Sequence, residues 1–212
     1  MAVASLSKFT VPLSNSQSAD SQGLLMPKMK FRFRASFIGF GVNTNVVELT
    51  KQVIDIKRPS VNFNPFAIDV YNSKVYLQGK PEWQETTINL RDDATGIVTQ
   101  LVGQQVQKQF DFLEQASAAS GGDYKFQLVF EVLDGSNGAY LAAGGGVLET
   151  WELYGCFISQ VDYGDMAYNS NDPAQIALTI RFDNAIQAGN NPGIGAKVIQ
   201  SVINTVTGGG AY

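Results

Sequence analysis

Residues 175–182 constrain this chain more than any other stretch. Ile176, Leu178, Ile180 and Phe182 fall on one parity, and Gln175, Ala177, Thr179 and Arg181 on the other. An extended strand points successive side chains to opposite faces, so this period of two gives one apolar face and one wet face. A strand of this kind is not stable alone and requires paired neighbours and a cover for its apolar side. The segment before it carries Gly164, Asp165, Asn169, Ser170, Asn171, Asp172 and Pro173, which read as a polar turn. The rest of the chain reads as strands to pair with this one and a helix to cover them.

Three more stretches alternate. In residues 30–38, Phe31, Phe33, Ala35 and Phe37 face one way and Lys30, Arg32, Arg34 and Ser36 the other. Residues 124–133 alternate through Tyr124, Phe126, Leu128, Phe130 and Val132, the pattern of a central strand. Residues 147–154 place Val147, Glu149, Trp151 and Leu153 on one parity, and Gly155 is expected to end that strand. Gly39, Gly41, Asn43 and Asn45 mark a reversal, and residues 46–57 are expected to form a further strand. Two more are expected at residues 71–78 and 83–90, joined through Gly79, Lys80 and Pro81.

One amphipathic helix is expected over residues 95–118, capped by Asp92 or Asp93 and stopped by Gly121 and Gly122. Val98, Leu101, Val102, Val106, Phe110 and Leu113 lie near helical spacing. Its polar face is mostly glutamine (Gln100, Gln104, Gln105, Gln107, Gln109) and is read as solvated. Asp134, Gly135, Asn137 and Gly138 make a turn, residues 139–146 a small-residue loop, and residues 184–195 a turn-rich spacer. Val198, Val202, Ile203 and Val206 then suggest a short helix or an extended arm.

Residues 58–69 are odd. Pro59 and Pro65 interrupt pairing, so a loop is expected, yet Val61, Phe63, Phe66 and Ile68 make it apolar where a loop should be wet. Such a segment either folds back over the end of the sheet or inserts into a neighbouring subunit. On the second reading Phe63, Pro65, Phe66 and Ile68 are inter-subunit contacts.

Little in the sequence points to catalysis. The 212 residues contain no histidine and a single cysteine, Cys156, which removes Ser-His-Asp and Cys-His nucleophile systems and any internal disulfide. Asp162, Asp165 and Asp172 with Asn169 and Asn171 lack the spacing and closing glutamate of a calcium loop, so turn formation explains them better. Asp92 and Asp93 are better read as caps than as an acid/base pair. Gly79-Lys80 is followed by proline, which excludes a P-loop, and neither Gly39-Phe40-Gly41 nor the glycines 144–146 complete a phosphate motif. Cys156 has no basic neighbour in sequence and reads as an inert buried thiol. A net charge of -4 argues against a general nucleic-acid binder. The row Lys30, Arg32, Arg34 suits the edge of a sheet, with Glu131 as a cross-strand partner. No apolar run approaches the roughly 18 residues that span a bilayer, and the N-terminus lacks the pattern of an export signal. The expectation is a structural protein of the cytoplasm that is no enzyme, with no catalytic residue, cofactor, metal or membrane contact.

Taken together, the strands, the single inserted helix and the run Trp151-Glu152-Leu153-Tyr154-Gly155-Cys156-Phe157 leading to Val161-Asp162-Tyr163 resemble the tail tube proteins of contractile-tailed bacteriophages. The likeness is most specific over residues 152–183. A second region, residues 74–90, carries Gly79, Trp83 and Thr87-Ile88-Asn89-Leu90, and is followed by Phe110-Asp111-Phe112-Leu113. The resemblance covers about residues 28–185. It departs at Ile158, where the family commonly has proline, and at residues 1–23 and 186–212, which lie outside the pattern.

The resemblance implies a mainly β fold, a small antiparallel β-barrel or sandwich with one flanking α-helix, assembling into hexameric rings stacked as a tube. The implied domains are an N-terminal arm over residues 1–23, the tube domain over 24–185 and a C-terminal extension over 186–212. The implied partners are further copies of the chain, a tail sheath protein, baseplate and tube-terminator proteins, and double-stranded DNA passing through the lumen without specific recognition. The implied location is the tail of a virion assembled in host cytoplasm. Two alternatives stand beside it. One is the tube protein of a type VI secretion or other contractile injection system, and the other a monomeric β-barrel binding a ligand inside, reported by Trp83 or Trp151.

Overall fold

The computed structural model describes residues 27–42, 46–135, 146–188 and 193–195. The chain divides into two units, Met1–Arg32 and Phe33–Tyr212. In the first, the Arg32 backbone N–H donates to the Met29 carbonyl (3.2 Å), and the Arg32 guanidinium lies 5.4 Å from the centre of the Phe31 ring. The expected strand over residues 30–38 therefore starts late. Phe31 sits in a turn, three-quarters exposed, because alternation continues in the sequence beyond the point where a partner strand continues in space.

The second unit begins with β1 (Phe33–Ile38), α1 (Val47–Gln52) and β2 (Val53–Ile56). The expected strand over residues 46–57 is half helix. Leu49 is its one buried residue, and Glu48 pairs with Lys51 one turn on (2.7 Å), so a short helix anchors by a single leucine. Four short strands follow, β3 (Val61–Phe63), β4 (Phe66–Val70), β5 (Ser73–Leu77) and β6 (Pro81–Trp83), and then β7 (Thr86–Arg91).

Next come α2 (Ile97–Gln109), β8 (Phe110–Asp111), β9 (Ala116–Ser117) and α3 (Gly121–Tyr124). The expected helix over residues 95–118 is thus shorter at both ends. The Asp93 carboxylate accepts from the Val98 N–H (3.1 Å) at its start, although the capping position itself is Gly96. Gly121 and Gly122 do not stop α2; they open α3, where the Ser120 hydroxyl accepts from the Gly122 N–H. The chain closes with β10 (Phe126–Leu133), β11 (Val147–Asp162), β12 (Gln175–Arg181) and β13 (Asn184–Ala188). The expected spacer over residues 184–195 therefore contains a strand, and strand pairing continues past residue 185. The loop 139–146 lies almost wholly outside the described residues, as do residues 1–23 and 197–206.

Seven strands form one antiparallel sheet in the order β1-β10-β11-β12-β7-β2, with β13 also on β11. The hinge of this arrangement is Gly155. It does not end the strand: β11 runs through it for 16 residues. Tyr154 and Gly155 together oppose the single residue Gln127, which makes a bulge, and Gly155 adopts φ +67, a left-handed conformation that a side chain disfavours. A Cβ there would collide with the Asp183 carboxylate. Up to Cys156 β11 pairs with β10, and over Thr150–Tyr154 also with β13; from Phe157 on it pairs with β12. The sheet so falls into a first half (β1, β10, β11, β13) and a second half (β11, β12, β7, β2).

The apolar parities meet in one core. Phe126, Leu128, Phe130 and Val132 of β10, Ile176, Leu178 and Ile180 of β12 and Val98, Leu101 and Val102 of α2 are all buried in the same cluster. Burying a side chain of this size stabilises by about 1.5–3 kcal/mol. Among the described residues β1 and β2 do not pair with each other, so the sheet is open and sandwich-like rather than a closed barrel. A ligand-binding barrel needs an empty interior, and here Trp151 is itself part of the packed core.

Candidate assembly surface

The apolar segment singled out in the sequence is not a loop. Residues 61–83 form a double hairpin, with β3 pairing β6 at its base and β4 pairing β5 at its tip around Tyr71 and Asn72. The reversal is therefore at Tyr71-Asn72 and not at Gly79-Lys80-Pro81, and β5 and β7 are not partners. Pro65 is tolerated because it sits in the two-residue link between β3 and β4, outside both ladders. Gly79 lies opposite that link, so close to the Asn64 carbonyl that a Cβ would overlap it.

The base is fixed and the tip is bare. Trp83 packs on Phe182 (5.7 Å between ring centres), and Arg181 pairs with Glu82 (3.0 Å) and Glu85 (3.6 Å). In the tip, cross-strand register places Phe66 opposite Leu77 and Ile68 opposite Val75, with Val70 next on the same parity. The other parity carries Ala67 opposite Tyr76 and the ion pair Asp69–Lys74 (3.4 Å). One face of the tip is thus apolar except for Ser73, which lies opposite Val70, and its five large apolar side chains are each 43–51 % exposed. The structure brings Phe66 and Ile68 together on this face, while Phe63 lies in the base opposite Pro81 and is also exposed. Sequence reasoning missed Val70, Val75 and Leu77. Their signal was the alternation on either side of Tyr71-Asn72.

The glutamine face of α2 is only partly solvated. Gln105 is fully buried; its carboxamide accepts from the Gly41 N–H (2.9 Å) and donates to the Tyr124 carbonyl (2.7 Å). Gln104 accepts from the Val42 N–H (3.4 Å), and Gln107 donates to Asp111 (2.7 Å). Gln109 accepts from the Ile158 N–H and donates to the Ile158 carbonyl, both at 2.9 Å. Of the five, Gln100 and Gln107 are exposed to solvent as the sequence suggested. A glutamine has both donor and acceptor, which lets it stand in for a peptide group where strands and turns leave one unpaired.

The other chemical candidates resolve into structure. The Asp111 carboxyl is held below its ordinary range by the N–H groups of Glu114 and Leu113, which it accepts in the tight turn between β8 and β9. Asp162 accepts from the Gly164 N–H, and Asp172 interacts with Ser170. No cluster of three potential metal ligands occurs among the described residues. Cys156 is buried, and desolvation pushes its thiol up to about 12. Of the basic row, Arg34 lies in β1 opposite Glu131 and pairs with it (2.6 Å) at the sheet edge. No described helix is long and apolar enough to cross a membrane.

No family model and no curated protein matches the chain. Solved structures do. A chain of the anti-feeding prophage baseplate, in a six-fold symmetrised structure, is 14% identical with a TM-score of 0.56, the match covering 78% of this chain and 98% of that one. A chain of the sheath/tube terminator of the PVC extracellular contractile injection system is 14% identical with a TM-score of 0.54, over 79% of this chain and all of that one. One from the PVC sheath-tube complex is 13% identical with a TM-score of 0.53, over 77% and 92%. The chain has the fold of these contractile-machine components, as its resemblance to tail tube proteins implied.

Proposed function

We infer that this chain is a tube subunit of a contractile injection machine, whose copies close into hexameric rings that stack into a hollow conduit. The observation that carries this reading is the shared fold, which covers 92–100% of the matched chains from baseplate, terminator and sheath-tube assemblies. The bare apolar face of the β4–β5 tip supports it. A monomer gains nothing by holding five large apolar side chains in water on a rigid two-stranded arm, whereas stacking a second ring over them removes that area from solvent. Phe63, Pro65, Phe66 and Ile68 are then contacts between copies.

The finer reading is the inner tube of a contractile phage tail, part of the virion, assembled in host cytoplasm inside a sheath and between baseplate and terminator proteins. Its support is the sequence likeness over residues 152–183 and a net charge of -4, which suits a wall past which double-stranded DNA slides without sticking. The role is structural, with no turnover. The matched structures favour an extracellular injection system as the second reading, and a portal or capsid gene beside this one distinguishes the phage. Negative-stain electron microscopy of the concentrated protein, alone and with candidate baseplate proteins, tests the coarser reading. Rings or hollow tubes support it, and dispersed monomers in every condition sink it.

A further inference from the structure

The double hairpin of residues 61–83 leaves the sheet through a neck of two legs, residues 57–60 going out and 84–87 coming back. The Lys57 N–H donates to the Thr87 carbonyl (2.9 Å) and the Gln84 N–H to the Ser60 carbonyl (2.8 Å), so the ladder of β2 and β7 runs on towards β3 and β6. Between these two bonds stand Arg58 and Pro59. Proline has no N–H to give, so the backbone pairing has a gap there. A two-stranded ribbon is also the form of sheet that twists most. The ladder alone therefore holds the exit angle of the arm only loosely.

Charged side chains grip the neck from both faces of the sheet. Arg181, on the outer parity of β12, pairs with Glu82 and Glu85 on the returning side. On the core-facing parity stands Glu149 near the start of β11, 6 % exposed and in line with Trp151 and Leu153. One oxygen of its carboxylate accepts from the Trp151 indole N–H, and the other faces the Arg58 guanidinium of the outgoing leg at 4.0 Å. A carboxylate in that row is expensive, because burying a charge costs more than burying an apolar side chain of the same size gains. Replacing a buried ion pair by apolar groups is often neutral or stabilising. The packing of the core is therefore not what Glu149 serves.

We propose that Glu149 and Arg181 form a two-sided charge clamp that sets the angle of the arm, with Glu149 as the core-side positioning residue acting through Arg58. The signs are opposed across the sheet. The outgoing leg brings a cation to a fixed anion on the core side, and the returning side brings two anions to a fixed cation on the outer face. Pulls on both legs, from opposite faces, resist tilting of the neck either way, which an ion pair on one face does not. Trp83 on Phe182 adds an apolar contact at the same root. The inference rests on the tube reading above only for what the arm serves. With the tip held at one angle in every copy, the apolar faces around a ring meet the next ring without first paying to be ordered.

The test is a spin-label distance measurement on the dilute, unassembled full chain, with labels at Asn72→Cys in the tip turn and Gln175→Cys in β12. Both positions are exposed, and Cys156 is buried and does not take the label. Arg58→Gln removes the clamp from an exposed position, and Glu149→Gln removes the charge while keeping an acceptor for the Trp151 indole. The expected result is a broadened tip-to-sheet distance distribution in each variant, no further broadening in the double variant, and a melting temperature that hardly moves. Lys74→Gln, which breaks the ion pair within the tip, should leave the distribution as it was. A distribution unchanged by both Arg58→Gln and Glu149→Gln overturns the clamp, and so does a lowered melting temperature with the distance unaltered, which would make Glu149 a packing residue. Neither result touches the tube reading. Failure of the unaltered chain to form rings in any condition sinks that reading and leaves the distance measurement to decide the clamp by itself.

Discussion

Strands β10 and β12 and the β4–β5 tip carry the same period-two apolar pattern and meet opposite fates. Leu128, Leu178 and Ile180 are at most 1 % exposed, whereas Ile68 and Val75 keep more than two fifths of their surface in water. The difference lies in what covers each strand. β12 has strands on both edges and its apolar face turned to the core, while the tip is a two-stranded arm that leaves the sheet after Trp83 anchors its base. Alternation therefore reports that a face needs cover, and says nothing about which molecule supplies it.

That contrast can be broken or sharpened by substitution. Leu178→Ala should cost about 2–5 kcal/mol through a core cavity, whereas Ile68→Ala should stay within about 0.5 kcal/mol for the isolated subunit. Chemical denaturation of the two variants checks this, and equal losses would mean that the tip is part of the folded core. Gln105→Ala should cost about 1–3 kcal/mol, because it strips partners from the buried Gly41 N–H and Tyr124 carbonyl; Gln100→Ala, on the exposed side of the same helix, should be near neutral. Gly155→Ala should cost at least about 1–2 kcal/mol for the left-handed backbone, with further loss as Asp183 is displaced from its ion pair with Lys125 (2.6 Å).

Cys156 adds a pH test of how dry the core is. Its thiol is raised from 9.0 to about 12 in the folded chain. The unfolded chain thus loses this proton first, so the stabilisation is complete below pH 9 and is lost as pH rises towards 12. Denaturation midpoints measured from pH 8 to 11 should fall, and Cys156→Ala should flatten that fall; an unchanged slope would place the thiol in a wetter site. The smallest effect on the subunit and the largest on assembly should come from Phe63→Ser with Phe66→Ser. The melting temperature should hardly move, while electron microscopy should show stacked tubes lost; unaltered tubes would remove these residues from the stacking contact.

Much of the main sheet was legible, and for one reason. Where an apolar parity faces the chain's own core, as in residues 175–182 and 126–133, period and burial coincide. The misreadings cluster where a residue's role depends on a distant neighbour. Gly155 looked like a strand end, yet it is a bulge because Asp183 fills the space a side chain would need. The helix glutamines looked wet, yet Gln105 and Gln109 close backbone gaps left by Gly41, Tyr124 and Ile158. In residues 61–83 the unusual apolar content was visible, but Pro65 disguised a double hairpin, because a proline in a link between strands looks the same in sequence as one that breaks a strand.

The sequence by itself determined that this is an antiparallel β protein with a covering helix, that its thiol cannot form an internal disulfide, and that residues 58–69 carry more apolar surface than a loop should. These follow from local period and composition, which any fold must satisfy. Tertiary structure alone decided that β11 serves both halves of the sheet, that glutamine side chains take the place of peptide groups, and that the apolar face of the β4–β5 tip points away from the core. Each of these depends on contacts between residues tens of positions apart, and an edge or a face is open or closed only once every other strand has its place.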